Sequence, residues 1–395
     1  MKSATVMLLS SSAVFVCLIF IPAYAKESLG ATAFEVGIIV GVFNFTYLLS
    51  SYILGRYADM HGRRVVILSG LVASAVATLT QIVAYDPLTL TLSRGLVGFA
   101  CGAYPAALLT YAQEANEKMG KFASYGSLGW AVGSVLGGVL GIYWQMFALS
   151  SFLFFIGFLI ALMLPFKEEH LVSVPRFPIA VLKRNFSVYF VMFIRHAGAN
   201  AVWVLYTPYL LESLGFEFIQ IGIVFAVNPL TQFLVMQVID RFKSVSLVYV
   251  GLLFSIIGFL AMGMSTDFPQ MFITQSLIGV SWAALFVGSL KYIMEINIEK
   301  ATASGLLNST IGISAIAGPL IGGSLVTLSL HLGLSTSLAY RTTHFAAALM
   351  AGIALLILPF IMRRSATSTL ASSNQLPHSI HAASGLKETF ERKSR

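Results

Sequence analysis

Twelve apolar runs, each about 20 residues long and set apart by polar or Gly/Pro breaks, leave this chain few ways to fold. A helix rises about 1.5 Å per residue, so each run reaches across roughly 30 Å of hydrocarbon. Inside lipid a backbone must satisfy its own hydrogen bonds, and a helix does so within one segment. The runs fall near residues 4–23, 35–54, 65–84, 88–112, 122–143 and 146–165, then 186–209, 219–239, 245–264, 268–292, 304–328 and 343–362. Charged residues make up 10% of the 395, hydrophobic ones 57%, so the charged shell of a water-soluble body is missing. The N-terminal run, with a basic start and the ending "AYA", resembles a signal peptide. Its apolar stretch exceeds the roughly 7–15 residues of a signal core, and it reads instead as the first span. Cys17 and Cys101 sit in apolar runs and offer no disulfide framework.

Basic residues orient the spans, because Lys and Arg gather in cytoplasmic loops. With the N-terminus inside, 19 of the 24 lysines and arginines are cytoplasmic, Lys26 and Arg341 are external, and Arg94, Arg195 and Lys291 lie within spans. Both termini are therefore expected on the cytoplasmic side of a cell (inner or plasma) membrane. The net charge of +8 is a topology signal rather than a nucleic-acid footprint.

Sliding the sequence by 181 positions sets Asp59 on Asp240, Gly98 on Gly279, Tyr111 on Tyr292 and Glu114 on Glu295. A slide of 185 pairs Gly37 with Gly222, Gly133 with Gly318, and Gly137-Gly138 with Gly322-Gly323. Such matches point to an all-α membrane protein of 12 transmembrane helices in two six-helix pseudo-repeats of like orientation. The expected division is an N-terminal half at 1–165, a cytoplasmic linker at 166–185, a C-terminal half at 186–364 and a disordered tail at 365–395. Parallel repeats of this kind place a substrate site near the midplane between the halves.

Between spans two and three the stretch "GRYADMHGRR" concentrates charge: Gly55, Asp59, Gly62, Arg63 and Arg64. Gly62 permits φ > 0, so the chain can reverse tightly there. Asp59 stands at a helix end, where it can meet a neighbouring helix N-terminus or a basic side chain. "LTLSRGLVGFACGA" places Arg94 four residues before Gly98, "GWAVGSVLGG" carries Gly129, Gly133, Gly137 and Gly138, and "SAIAGPLIGG" carries Gly318, Pro319, Gly322 and Gly323. These stretches resemble the loop, fourth-span and fifth-span motifs of the major facilitator superfamily (MFS), the last typical of its antiporter branch. Met60 and His61 stand where that family usually has a basic and an aromatic residue, and Ser134 replaces the proline of the fifth-span motif. The departures bear on the antiporter subclass, not on membership.

The resemblance implies that residues 55–64 latch the cytoplasmic face when the site opens outward, with Asp59 as latch and Arg63 and Arg64 as partners. It also makes the span-five and span-eleven glycines a hinge between the halves, where close helix packing in lipid would otherwise explain them. Spans one, four, seven and ten would line the cavity. Span seven, "FIRHAGANAVWVLYTP", places His196, Asn200, Trp203 and Thr207 at helical spacing, with Arg195 beside them. Arg195 lies about 14 Å deep at 1.5 Å per residue, without an acid at mid-depth in any span. It serves either a ligand or a structural pair. Arg94, Tyr104, Gln275 and Trp282 complete the candidate substrate-binding set, each open to reading as helix–helix glue. Asn44, Tyr47, Asn228 and Gln232 add further amides and aromatic faces.

Two transport readings follow: proton-coupled efflux of a small organic solute, suggested by the aromatic and amide content and the span-five glycines, or uptake or exchange of an organic anion held by Arg195. A non-transporting sensor on the same scaffold is a third. His196 reads first as a hydrogen-bonded packing residue and only second as a proton carrier. The sequence carries no HExxH, no paired mid-membrane aspartates and no GxxxxGK[ST], so neither an intramembrane enzyme nor ATP hydrolysis is encoded. No catalytic residue, cofactor or metal ligand is expected. The expected partners are a small-molecule substrate, the bilayer and protons, around a monomer.

Overall fold

The computed structural model describes residues 2–115, 119–165, 179–297 and 300–373. Among them every regular element is helical. The first half comprises α1 (Lys2–Leu18), α2 (Ile21–Glu27), α3 (Ala33–His61), α4 (Arg63–Leu79), α5 (Pro87–Glu114), α6 (Met119–Leu140) and α7 (Tyr143–Leu162). After the short α8 (Ile179–Arg184), the second half comprises α9 (Phe186–Pro208), α10 (Phe218–Met236), α11 (Ser244–Met264), α12 (Phe268–Ile296), α13 (Lys300–His331) and α14 (Thr336–Ser373). Taking α1 and α2 as one broken span, this gives twelve crossings. Eleven of the described helices are long and apolar enough to cross a membrane on their own composition. The remaining one is α6, whose 22 residues are diluted by glycine, serine and lysine. Its side chains are described without a break only over 124–140, and Leu128, Trp130, Val132 and Val139 among them are exposed as in the other spans.

The repeat is physical. Within the first half, α1 packs on α6 and α7, α3 on α5, and α4 on α5 and α7. In the second half α9 packs on α13 and α14, α10 on α12, and α11 on α12 and α14, the same scheme displaced by six spans. Local signals repeat as well. Thr32 and Glu35 form a capping box at the start of α3, and Glu217 and Gln220 form one at the start of α10. Each follows a glycine at φ +67°, Gly30 and Gly215. Asp86 and Asp267 cap α5 and α12 by accepting from Thr89 N and Gln270 N.

At the "GRYADMHGRR" stretch, α3 stays helical through His61 and a single residue, Gly62 at φ +105°, turns the chain into α4. The reversal expected at Gly62 is thus one residue long, and Gly55 is helical, 3.6 Å by its would-be Cβ from Ala106 on α5. Arg63 is buried and Arg64 exposed. The side chain of Asp59, like most of the linker (166–178) and residues 374–395 of the tail, lies outside the described residues. The helix α14 runs to Ser373, past the boundary expected at Ser365.

The halves meet along α3–α13 and α6–α10, again exchanged by the pseudo-repeat. Of the three large apolar cores, one is shared, joining Ile19, Phe20 and Val36 to Val202, Tyr206 and Ile221. The other two are private to the first half, around Ile67 and Phe154, and to the second, around Leu252 and Leu307. The shared core occupies the end of the bundle far from the N-terminus. Outward-facing Val83, Leu234, Leu349 and Leu356 give the bundle an apolar surface suited to lipid.

Candidate functional site

A cavity of about 260 Å³ lies between the halves. One wall, from α1, α2, α3 and α6, presents Phe15, Leu18, Ile19, Pro22, Val40, Asn44 and Trp130. The opposite wall holds Asn200, Trp203 and Val204 of α9, Phe225, Asn228, Pro229 and Gln232 of α10, Gln275 of α12 and Pro319 of α13. Each wall carries an aromatic pair. Phe15 and Trp130 stack with ring centroids 5.1 Å apart, and Trp203 lies against Phe225 at 6.1 Å. Proline and glycine let these helices bend and approach, since Pro229 and Pro319 fall inside α10 and α13.

Among the described lining residues five carboxamides and the indole N–H groups of Trp130 and Trp203 supply the polarity, and none is ionisable. Asn44 Nδ2 donates to Val40 O at 2.9 Å and Asn200 Nδ2 to His196 O at 2.8 Å, so both amides spend hydrogens on their own helices. Gln232 Nε2 donates to Asn228 Oδ1 at 2.5 Å. Gln275 is only 1% exposed, and neither end of its amide has a hydrogen-bond partner among the described residues. Tyr206 stands close to it, but its hydroxyl donates to Met271 Sδ at 3.3 Å.

Asn200, Trp203 and Gln275 are therefore brought together as the sequence suggests, while Arg195, His196, Trp282, Arg94 and Tyr104 do not line this cavity. Arg195 turns into the second half instead. Its Nε donates to Ser255 Oγ at 2.7 Å and a terminal nitrogen to Ser281 Oγ at 3.0 Å, joining α9 to α11 and α12. The guanidinium also lies 5.5 Å from the Phe259 ring centre and 5.6 Å from that of Trp282. His196 stacks on Trp282 at 4.6 Å, one turn from Asn200 toward the N-terminal end of α9. Arg94 is buried within the first half, 3.9 Å over the Phe43 ring and bonded to Gln81 at 3.3 Å. Tyr104 packs edge-on against Phe154. Span four contributes nothing to the cavity because α5 is pressed onto α3: a Cβ on Gly98 or Gly102 would strike Phe43 O or Tyr47 O. The apolar lining residues Phe15, Leu18 and Phe225 were not singled out in the sequence, where they look like any lipid-facing or packing position.

The glycines of spans five and eleven have two jobs. Gly129, Gly133 and Gly137 seat α6 on α1, and Gly318 and Gly322 seat α13 on α9, all inside one half. Gly138 and Gly323 instead face the other half. A Cβ on Gly138 would lie 2.6 Å from Phe218 O, and one on Gly323 2.6 Å from Ala33 O. Their counterparts close the same seams: a Cβ on Gly222 would meet Ser134 O at 2.5 Å, and one on Gly37 would meet Pro319 O at 2.6 Å. Both seams lie toward the far end. There Thr207 Oγ1 also donates across the halves to Ile19 O, and Phe20 stacks on Phe218 at 5.3 Å. Lys26 pairs with Glu212 at 2.7 Å and donates to Tyr340 Oη, which itself donates to Glu212 Oε2 at 2.7 Å. Further toward the N-terminal face, α6 and α10 part around a second gap of about 230 Å³, lined by Ser124, Tyr125 and Leu128 opposite Pro229, Leu230 and Phe233.

Against known families, residues 4–184 and 188–393 match the model of the Major Facilitator Superfamily. The chain belongs to that superfamily. It is a multi-pass membrane transporter, which also settles that it is not an enzyme. An MFS-type transporter of Methanocaldococcus jannaschii is 24% identical over 334 residues, 78% of this chain and 86% of that protein. The quinolone resistance protein NorA of Staphylococcus aureus is 21% identical over 344 residues, 81% of this chain and 88% of NorA. Among solved structures, the nucleoside transporter NupG superposes with a TM-score of 0.77 at 12% identity, covering 91% of this transporter and 98% of NupG. A bacterial homologue of the lysosomal transporter spinster, in an inward-facing and occupied conformation, gives 0.75 at 15% identity, covering 92% and 96%.

Proposed function

We propose that this transporter exports a small organic solute by alternating exposure of the cavity between its halves. The seam geometry carries the reading: the far end is joined by backbone-close contacts, while α6 and α10 part toward the N-terminal face. The concentration of basic residues on that face supports a cytoplasmic orientation for it, and with it a reading of this arrangement as the one that loads from inside. Outward direction is supported by the relatives whose names describe drug resistance or efflux, NorA among them. The cavity is complete within one chain, which supports a monomer as the working unit.

Coupling to protons rests on His196, the titratable side chain one turn from Asn200, whose Nδ1 has no hydrogen-bond partner among the described residues. The glycines at both seams act as the hinge, and Asp59 with Arg63 and Arg64 latches the cytoplasmic face in the opposite state. Organic-anion uptake through Arg195 gains no support, because Arg195 is not among the residues lining the cavity and two of its nitrogens are held by serines of the second half.

The test is counterflow in proteoliposomes loaded with a mixture of metabolites and drugs, read by mass spectrometry. Export predicts protein-dependent movement of at least one compound, accelerated by an imposed pH gradient, with the acceleration lost in His196→Gln. No protein-dependent movement of any compound would leave only the sensor reading.

A further inference from the structure

We infer that the cavity takes an uncharged, planar molecule that offers N–H or O–H donors along one edge and a carbonyl-type acceptor beside them. This rests on the transport reading only for the consequence that such a molecule is moved; the binding chemistry stands on the lining itself. Three observations carry it.

First, among the described residues the walls hold no charge for an ion to pair with. Apart from the indole N–H groups of Trp130 and Trp203, the polar groups of the described lining belong to five carboxamides. A carboxamide can hold a neutral donor–acceptor edge, but it neutralises neither a carboxylate nor an ammonium, and a buried unpaired charge is expensive. The positive groups nearest in the fold, Arg94 and Arg195, are buried inside separate halves and turned away from the lining. Without a mid-depth carboxylate to offset them, they make the interior unfavourable for a cation even though the aromatic walls would otherwise attract one.

Second, the free amide atoms have a pattern. Asn44 and Asn200 each spend one amide hydrogen on a helix carbonyl and leave Oδ1 and a second hydrogen available. Gln232 donates to Asn228, leaving Gln232 Oε1 and Asn228 Nδ2. Three oxygens therefore ask for ligand donors, and the amide hydrogens left beside them ask for an acceptor. Gln275, 1% exposed with both amide ends unpartnered, adds to both. A buried amide left without partners costs free energy unless a ligand or water completes it.

Third, the shape favours a flat body. Phe15 with Trp130 forms an aromatic surface on one half, and Trp203 with Phe225 forms one on the other. A ring system between them keeps its polar edge toward the amides of α10 and α12, the second half, and its apolar edge toward Leu18, Ile19 and Val40 of the first.

The experiment uses three probes of one shape and different charge: 2-naphthamide, 2-naphthamidinium and 2-naphthoate. Binding to the purified full-length transporter is read by tryptophan quenching, with Trp130 and Trp203 as reporters. The inference expects naphthamide to bind on the order of tenfold or more tightly than either ion. Gln275→Leu should weaken naphthamide on the order of tenfold, as expected for loss of a buried hydrogen-bonding pair, and leave the weak binding of the ions unchanged. Gln275→Glu, which keeps the size, should turn the preference toward the amidinium. Tighter binding of either ion to the unaltered transporter, no binding of naphthamide, or indifference of all three to both variants would overturn the inference. Counterflow of the bound probe separates the two readings. Naphthamide that binds but is not moved contradicts transport and leaves the site standing, whereas movement of an ion and not of naphthamide contradicts the site and leaves transport standing.

Discussion

The two ends of the bundle are built from the same repeated helices yet make different contacts. At the far end α6 meets α10 and α3 meets α13 through glycines whose would-be Cβ atoms strike backbone oxygens, and one apolar core spans both halves. Toward the N-terminal face the same α6 and α10 leave a gap, and each half keeps its own core. The ends also differ in what they are made of, glycines at the far seams and Tyr125, Leu128, Leu230 and Phe233 around the gap. A rigid rocking of one half on the other would close one end as it opens the other.

Breaking the far end should have the largest effect at its backbone contacts. Leucine at Gly222 would force apart the Gly222–Ser134 seam, and overpacking of this kind costs about 1–3 kcal/mol, a shift of about five- to 160-fold in the population of the closed far end. Transport by Gly222→Leu should fall accordingly in counterflow assays, and Gly37→Leu should behave alike. Gly352→Leu, at a glycine with nothing within 4 Å of its would-be Cβ, should transport normally. Equal losses at all three would show that the seams are not special.

A smaller change is expected from Thr207→Val, which deletes the hydrogen bond to Ile19 O while keeping the side chain's size. A loss of about 1 kcal/mol from the closed far end corresponds to roughly a fivefold increase in labelling of a far-end cysteine. No change in labelling would remove Thr207 from the closure.

Glu212→Gln should do less. The Lys26–Glu212 pair is 20% and 28% exposed at its side chains, and pairs in water are worth about 0–1 kcal/mol. The variant should shift labelling by a factor of a few at low salt and match the unaltered protein at high salt. Persistence of the difference at high salt would mean that the ion pair is not what the substitution removed.

The least effect on the comparison belongs to Thr89→Ala, which acts inside one half. The Thr89 N–H and, after it, the hydroxyl hold the Asp86 carboxyl below its ordinary range. A lowered native pKa means the contribution to stability is complete above the unfolded-state value of about 3.9 and fades as pH falls through the native one. Melting of Thr89→Ala should thus be lower at neutral pH and converge with the unaltered protein in acid. Far-end labelling should not change.

Much of this architecture is legible in the chain itself. Apolar runs fix the crossings because lipid leaves the backbone no alternative to helix, and the 185-residue echo of Gly37 in Gly222 and of Gly138 in Gly323 marks the very seams between the halves. Asn200, Trp203 and Gln275 are legible as cavity residues for a similar reason: polar or amphipathic groups in a span must turn from lipid. The same logic cannot place Arg195, Arg94 or Tyr104. Avoiding lipid is satisfied equally by the cavity and by the interior of one half, and only packing decides, as when Ser255 and Ser281 claim Arg195. Phe15 and Phe225 are hidden for the converse reason, since an apolar side chain is content facing lipid, a neighbour or a ligand.

The central claim is that the two ends move in opposition, and distances between spin labels measure that most directly. Labels at Ser28 and Ser335 report the far end, and labels at Val65 and Lys243 report the N-terminal end, all at exposed positions. In lipid nanodiscs, Gly222→Leu should lengthen the Ser28–Ser335 distance and shorten the Val65–Lys243 distance together. Distances that lengthen at both ends, or a far end that opens while the other stays fixed, would contradict the rocking of two rigid halves about one cavity.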